Sequence, residues 1–178
     1  MIHSRQQKLS LVVPVFNEEE SIRPFLDRTV PVLERAAALV PAETSYEILF
    51  INDGSTDATA AVLSALAQRD ARIKLVNLSR NFGKEAAVAA GLNYASGDAI
   101  IPIDVDLQDP PELIEPMVVK WLAGAKAVEA VRTDRTSDSG TSASPRTGST
   151  LSTIDLPTSR SARMSGISGC SIARWSRC

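Results

Sequence analysis

Three short polar segments contain most of the side chains that could do chemistry, and they begin at Pro14, Asn52 and Asp104. Each segment directly follows a run of apolar residues. In the third segment, Asp104 and Asp106 stand two residues apart, and carboxylates at this spacing can hold a hard divalent cation such as Mg²⁺ or Mn²⁺. A cation held in this way commonly also binds the phosphate groups of a ligand. Gln108 supplies another oxygen close by.

The segment 52–57, Asn-Asp-Gly-Ser-Thr-Asp, allows two interpretations. Asn, Asp, Gly and Ser are typical turn residues, so the segment could be only a turn that caps a helix. Alternatively, Asp53 accepts hydrogen bonds from a base N–H or a sugar hydroxyl of a nucleotide. Neither of the glycine-rich phosphate-binding patterns, GxGxxG and GxxxxGK[ST], occurs in the sequence. Phosphate would therefore be bound through a cation held by the carboxylate pair.

Short apolar runs alternate with longer helical stretches between residues 9 and 131, which predicts βα units around a mostly parallel sheet. The predicted strands are residues 9–16, 46–51, 73–78, 98–103 and 126–131. The predicted helices are residues 18–39, which Pro24 and Pro31 must start, kink or divide, and residues 58–69, 85–94 and 111–122. Ligands bind beyond the carboxyl ends of strands in open α/β sheets, so we expect the three polar segments to converge there.

Residues 133–178, called the tail below, differ in composition from the residues before them. Of these 46 residues, 25 are Ser, Thr, Gly or Pro, and none is Lys, Phe or Tyr, which predicts a disordered segment. The tail has 6 Arg and 3 Asp, whereas residues 1–132 have 13 basic and 18 acidic residues. An acidic body argues against nucleic-acid binding, which needs clustered Lys and Arg.

The sequence shows no signal for secretion or membrane insertion. The N-terminus lacks the apolar run of a signal peptide, and no window approaches the roughly 20 apolar residues of a membrane-spanning helix. Both cysteines, Cys170 and Cys178, lie in the tail, so residues 1–132 contain neither a disulfide nor a thiol metal cluster. These features favour a reducing compartment.

Four segments, in the same order and with compatible spacing, resemble the type 2 glycosyltransferases of GT-A fold, and within them the polyprenyl-phosphate glycosyltransferases. The matching segments are 12–19 (VVPVFNEE), 51–57 (INDGSTD), 78–86 (LSRNFGKEA) and 103–112 (IDVDLQDPPE). The resemblance covers residues 8–139 and is greatest to the bactoprenol glucosyltransferase and dolichol-phosphate mannose synthase branch. It implies a Rossmann-like α/β fold that is incomplete at the C-terminus, with residues 1–8 as an extension and residues 9–132 as a nucleotide-sugar-binding domain.

The resemblance also implies an activity, namely inverting, metal-dependent transfer of a sugar from a UDP-glucose-like or GDP-mannose-like donor. The acceptor would be undecaprenyl or dolichyl phosphate, and the product would serve cell-envelope or glycan synthesis. A phosphate monoester has a second pKa near 6, so the acceptor is already an anion at neutral pH and we assign no catalytic base. Two alternatives remain open: a non-catalytic donor-binding remnant, and a family 2 transferase that acts on a hydroxyl acceptor and needs a carboxylate base.

Site residues carry over from the family by motif. The nucleoside pocket would be lined by Pro14, Phe16, Glu18, Ile51 and Asp53. The cation, Mg²⁺ or Mn²⁺, and the donor diphosphate would be held by Asp104 and Asp106 with Gln108, and Val105 stands beside them where the family usually has Ala. Lys84 and Arg132 resemble the cationic partners of the donor phosphates. Their alternative interpretations are a solvated lysine at a helix start and a surface salt bridge.

The resemblance ends abruptly after Ser139, where the family would continue with an acceptor region and, in many members, membrane helices. We interpret the change as a truncation or reading-frame change that replaced the second half, and the alternative is a natural disordered tail. The resemblance implies work at a membrane surface on the cytoplasmic face of the plasma membrane. A cytoplasmic location stays open because this chain has no membrane-spanning candidate.

Overall fold

The structure, a computed structural model, describes residues 7–40, 44–133, 151–157 and 172–175, with side chains through residue 130. The strands are Lys8–Val15 (β1), Ser45–Asn52 (β2), Ile73–Asn77 (β3), Ala99–Pro102 (β4), Ala127–Thr133 (β5), Leu151–Pro157 (β6) and Ile172–Trp175 (β7). The helices are Ile22–Ala38 (α1), Thr59–Arg69 (α2), Lys84–Tyr94 (α3) and Ile114–Leu122 (α4), with a 3₁₀ turn at Pro111–Leu113.

The strands form one sheet in the order β3-β2-β1-β4-β7-β5-β6. Neighbouring strands from β3 to β4 run parallel, as do β5 and β6, whereas β7 runs antiparallel to both β4 and β5. This sheet with its flanking helices confirms the predicted α/β class. Each of the five predicted strands is present, with its ends within two residues of the predicted ones.

Both faces of the central strands are buried, which explains their unbroken apolar runs. On one face, side chains of β1 and β2 pack with α1, α2 and α4 in the main core, where the rings of Phe25 and Phe50 meet edge-on at 6.1 Å. On the other face, Val12, Leu49 and Ile51 pack against Ala87 of α3 in a second cluster. The sheet edge that carries the polar segments is thus held by helices from both sides.

Helix α1 shows how the sequence accommodates two prolines. It begins at Ile22, so Pro24 lies in the first turn, where a missing N–H breaks no helical hydrogen bond. Pro31 lies inside the helix, which nevertheless continues to Ala38. The prolines therefore do not divide the helix, because its buried face packs on the sheet.

The two strands of the tail were not expected from its composition. Strands β6 and β7 both come from residues 133–178 and pair with β5 and β4. The other residues after Thr133 lie outside the described residues, so the domain boundary at residue 132 stays a prediction. Among the described residues, no helix has both the length and the apolarity needed to cross a bilayer.

A buried carboxylate lies at the opposite, amino-terminal edge of the sheet. The Glu47 side chain is 2% exposed, and it accepts hydrogen bonds from the Ser10 hydroxyl at 2.6 Å and the Ser96 N–H at 2.9 Å. The ammonium groups of Lys8 and Lys74 lie 2.6 and 3.2 Å from its other oxygen. Burial alone would raise the pKa of Glu47, but the hydrogen bonds from Lys8, Ser10 and Ser96 outweigh it and lower this pKa to about 2.

We expect Glu47→Gln to lower the free energy of unfolding at neutral pH by about 3 kcal/mol, because the carboxylate pKa falls from 4.5 to about 2 on folding. A folded-state pKa below the unfolded one gives stability that is complete above the unfolded value and is lost as the pH falls towards the folded value. Urea denaturation should therefore show the difference between wild type and variant shrinking from about pH 5 to about pH 2. The exposed Glu20→Gln is the matched control, and a pH-independent difference would contradict this account.

Candidate functional site

A cavity of about 300 Å³ opens at the carboxyl ends of β1, β2 and β4. The three polar segments meet there, as their positions after parallel strands predict. The start of α3 forms a further wall. The lining residues are Pro14, Val15, Phe16, Glu18, Asp53, Asn81, Gly83, Lys84, Ala87, Asp104, Val105 and Asp106.

The first two polar segments are locked together by hydrogen bonds. Asn17 adopts a left-handed backbone conformation, with φ of 54°, and its side-chain oxygen accepts the Thr56 N–H at 2.8 Å. The Asn17 N–H in turn donates to the Ser55 hydroxyl at 3.0 Å. The Glu19 carboxylate accepts the Ala58 N–H at 2.7 Å. These bonds fix the rim of the cavity around Phe16.

Asp53 holds the segment that precedes α3. Its two carboxylate oxygens accept the backbone N–H groups of Phe82 and Gly83, both at 2.8 Å, and the residue is only 3% exposed. Gly54 lies against the same segment, since a Cβ built on it would stand 2.5 Å from the carbonyl carbon of Arg80. Asp53 thereby sets where α3 begins and where Lys84 stands.

The third segment places two carboxylates beside the cavity. Val105 is 4% exposed and packs into the main core, while Asp104 and Asp106 on either side of it line the cavity. The Asp106 carboxylate accepts the Gln108 N–H at 3.1 Å, in a turn where Leu107 has a φ of 58°. Among the described residues, no three His, Cys, Asp or Glu side chains form a group that could hold a metal ion.

Lys84, the first residue of α3, reaches across the cavity to the third segment. Its ammonium group lies 2.6 Å from a carboxylate oxygen of Asp104. The two side chains are 54% and 28% exposed, respectively, so both remain accessible to a ligand. The cavity thus presents acidic and basic groups side by side.

The structure brings most, but not all, of the expected site residues to this cavity. Those that line it are Pro14, Phe16, Glu18, Asp53, Lys84, Asp104, Val105 and Asp106. Ile51 does not, because its side chain is fully buried in the second cluster beneath the site. Gln108 is exposed and is not part of the cavity wall. Arg132 belongs to β5, and its side chain lies outside the described part of the structure.

Comparison with known proteins identifies the family of this chain. The model of glycosyl transferase family 2 matches residues 10–175. The chain belongs to glycosyl transferase family 2. This confirms the resemblance that the four motifs carried. The family match includes the three polar segments and also extends into the tail.

Two curated relatives illustrate the similarity within family 2. The chain is 55% identical over 131 residues to the bactoprenol glucosyl transferase of Shigella phage SfV, which covers 74% of this chain and 41% of that protein. It is 40% identical over 130 residues to the undecaprenyl-phosphate 4-deoxy-4-formamido-L-arabinose transferase of Edwardsiella ictaluri, over 72% of this chain and 38% of that protein. The chain therefore spans about two fifths of the length of these relatives.

A solved structure supports the GT-A fold. Glucosyl-3-phosphoglycerate synthase from Mycobacterium tuberculosis, in complex with Mn²⁺, UDP and glucosyl-3-phosphoglycerate, matches with a TM-score of 0.51 and 27% identity. The match covers 71% of this chain and 44% of that one. The expected fold class is thereby confirmed.

Sequence reasoning missed part of the family 2 cavity. Asn81 and Gly83 line it together with Lys84, although we assigned no role to the first two. The signal was available, because both belong to the segment 78–86 that resembles the family. Their position became clear only from the bonds between Asp53 and the backbone of Phe82 and Gly83.

The close approach of Gly54 to residues 80–81 leaves no room for a side chain at position 54. Gly54 has a φ of 68°, and a Cβ there would lie 2.5 Å from the Arg80 backbone. We expect Gly54→Ala to lower the free energy of unfolding by about 3 kcal/mol, since backbone strain and overpacking add. Gly124→Ala is the matched control, because Gly124 has a φ of 99° but open space around it. Thermal unfolding should show a loss of only about 1 kcal/mol for that variant, and equal losses would contradict the packing argument.

Proposed function

We propose that the cavity binds a nucleotide-diphosphate sugar together with Mg²⁺ or Mn²⁺, and that the protein transfers the sugar to a polyprenyl phosphate. The observation that carries this proposal is the meeting of Asp104, Asp106 and Lys84 in one cavity at the carboxyl edge of the sheet. These groups supply oxygen ligands for a cation and a positive charge for phosphate. The names of the two curated relatives support a polyprenyl-phosphate acceptor.

The nucleoside end of the donor would lie along the rim formed by the first two polar segments. Phe16 is 43% exposed and lines the cavity, where its ring could offer an aromatic surface to a base. Glu18 and Asp53 supply carboxylate oxygens in the same wall. The oxygens of Asp53 already accept backbone N–H groups, but each carboxylate oxygen has a second lone pair for a ligand.

The carboxylates at the diphosphate end fit a hard cation. Asp104 and Asp106 offer oxygen ligands from one loop, and Mg²⁺ commonly uses only one or two carboxylates together with substrate phosphates. Gln108 follows in the same turn and is proposed as a further oxygen donor. When bound, the cation would neutralise the charge that develops on the leaving diphosphate. Lys84 would add a positive charge on the opposite side, and Arg132 is proposed as a second one.

The acceptor itself supplies the nucleophile. Its phosphate is an anion at neutral pH, so an acceptor oxygen can attack the anomeric carbon without a protein base. A bond from this oxygen to the anomeric carbon forms as the bond to the diphosphate oxygen breaks. Attack from the face opposite the leaving group inverts the anomeric configuration. The protein's part is to hold the donor rigidly and to stabilise the departing nucleoside diphosphate.

The test is a transfer assay with the purified chain, Mn²⁺, undecaprenyl phosphate in detergent, and labelled UDP-glucose or GDP-mannose. We expect label in the lipid extract, and we expect EDTA to abolish it. Donor binding without transfer would instead support a donor-binding domain that lacks transferase activity. The same assay with a soluble hydroxyl compound in place of undecaprenyl phosphate should transfer no label, and label on that compound would contradict the proposed acceptor class.

A further inference from the structure

Lys84 forms an ion pair with the Asp104 carboxylate, which is also a proposed ligand of the cation. The Lys84 ammonium lies 2.6 Å from one carboxylate oxygen of Asp104, and both residues line the cavity. An ammonium group and a divalent cation repel each other strongly at such distances. The cation can therefore coordinate Asp104 fully only if the ammonium group moves away.

The charges around the cavity explain why the pair forms. Among the described lining residues, four carry carboxylates and only Lys84 carries a positive charge. The carboxylates are those of Glu18, Asp53, Asp104 and Asp106. Lys84 is thus the counter-ion that reduces repulsion between the neighbouring carboxylates of the third segment.

The backbone of Lys84 is fixed, whereas its ammonium group can move. Asp53 holds the N–H groups of Phe82 and Gly83, so the start of α3 keeps its place beside the cavity. The Lys84 side chain is 54% exposed and has a flexible four-carbon stem. A donor diphosphate offers more negative charge than one carboxylate, which favours transfer of the ammonium group to the phosphates.

We infer that Lys84 is an exchangeable counter-ion that pairs with Asp104 in the free protein and moves to the donor diphosphate when the cation binds. This role rests on the proposed function and adds a coupling between the binding of the cation and the binding of the diphosphate. Lys84 opposes binding of the cation alone and favours binding of the cation together with a diphosphate. By linkage, the cation and the nucleotide then increase each other's affinity more than they would without Lys84.

The test compares Mn²⁺ binding by wild type and Lys84→Met, measured by the electron paramagnetic resonance signal of free Mn²⁺. Without nucleotide, we expect the variant to bind Mn²⁺ about threefold more tightly than wild type. Its affinity for UDP or GDP, whichever nucleotide wild type binds, should fall about tenfold at saturating Mn²⁺. Lys126→Met is the control for net charge, because Lys126 is exposed and directly precedes β5. It therefore lies at the amino-terminal end of the strands, whereas the cavity lies at their carboxyl ends.

An unchanged or weaker affinity of Lys84→Met for Mn²⁺ alone would overturn the inference, as would an equal gain in Lys126→Met. Lys84→Gln provides a second test with a smaller change in shape and should behave like Lys84→Met. Failure of the proposed function has a different signature, because wild type would then bind neither UDP nor GDP even at saturating Mn²⁺. The measurement with Mn²⁺ alone decides the counter-ion role in either case.

Discussion

Asp106→Asn should weaken Mn²⁺-dependent binding of UDP-glucose or GDP-mannose by about 100-fold or more, since it removes one of two carboxylates proposed to hold the cation. Asparagine has nearly the same shape and keeps an oxygen that can accept the Gln108 N–H, so the turn should be preserved. The effect therefore reports on charge and coordination at Asp106. Isothermal titration calorimetry of each donor into the variant, with Mn²⁺ present, measures it.

The matched control for Asp106→Asn is Asp27→Asn, which makes the same change of charge on the exposed face of α1. We expect this control to bind both donors as wild type does. Thermal unfolding should be unchanged in both variants. Undiminished donor affinity in Asp106→Asn would contradict the metal assignment. An equal loss of donor affinity in Asp27→Asn would show that the effect comes from the change in net charge.

Asp53→Asn should both destabilise the protein and weaken donor binding. The amide keeps one oxygen for the Phe82 N–H but turns an N–H₂ group towards the Gly83 N–H, which loses a charge-assisted bond of 2.8 Å. We expect the free energy of unfolding to fall by about 2 kcal/mol. The donor affinity should fall because Lys84 follows directly on the released segment.

Hydrogen exchange separates the two roles proposed for Asp53. If Asp53 positions the segment before α3, the amides of Phe82 and Gly83 exchange faster in Asp53→Asn, even without donor. If it only contacts the nucleoside, donor affinity falls while these two amides keep their protection. Asp27→Asn serves again as the control and should change neither quantity.

The sheet was predictable because its strands carry their own signal. The runs at residues 9–16 and 46–51 are apolar on both faces, as required for strands covered by helices on both sides. The strands β6 and β7 gave no such signal, because their Ser- and Arg-containing sequences form strands only by pairing with β5 and β4. Long-range pairing of this kind leaves little trace in local sequence.

The site was predictable in its location but not in its contacts. The topology of a parallel sheet brings the segments at Pro14, Asn52 and Asp104 to one edge. The partners of Asp53 lie 29 and 30 residues away along the chain, and no local pattern specifies them. Ile51 belongs to a motif that reaches the cavity, but its own side chain does not. Side chains alternate between the two faces of a strand, and that of Ile51 packs into the second cluster.

A cation held by Asp104 and Asp106 is proposed to bind the donor in this cavity. The most direct measurement is calorimetric titration of wild type with UDP-glucose and with GDP-mannose, in Mn²⁺ and after removal of all divalent cations by EDTA. We expect binding of at least one donor with one site per chain in Mn²⁺, and a loss of that binding in EDTA. Equal affinity in both conditions, or no binding of either donor in Mn²⁺, would contradict it.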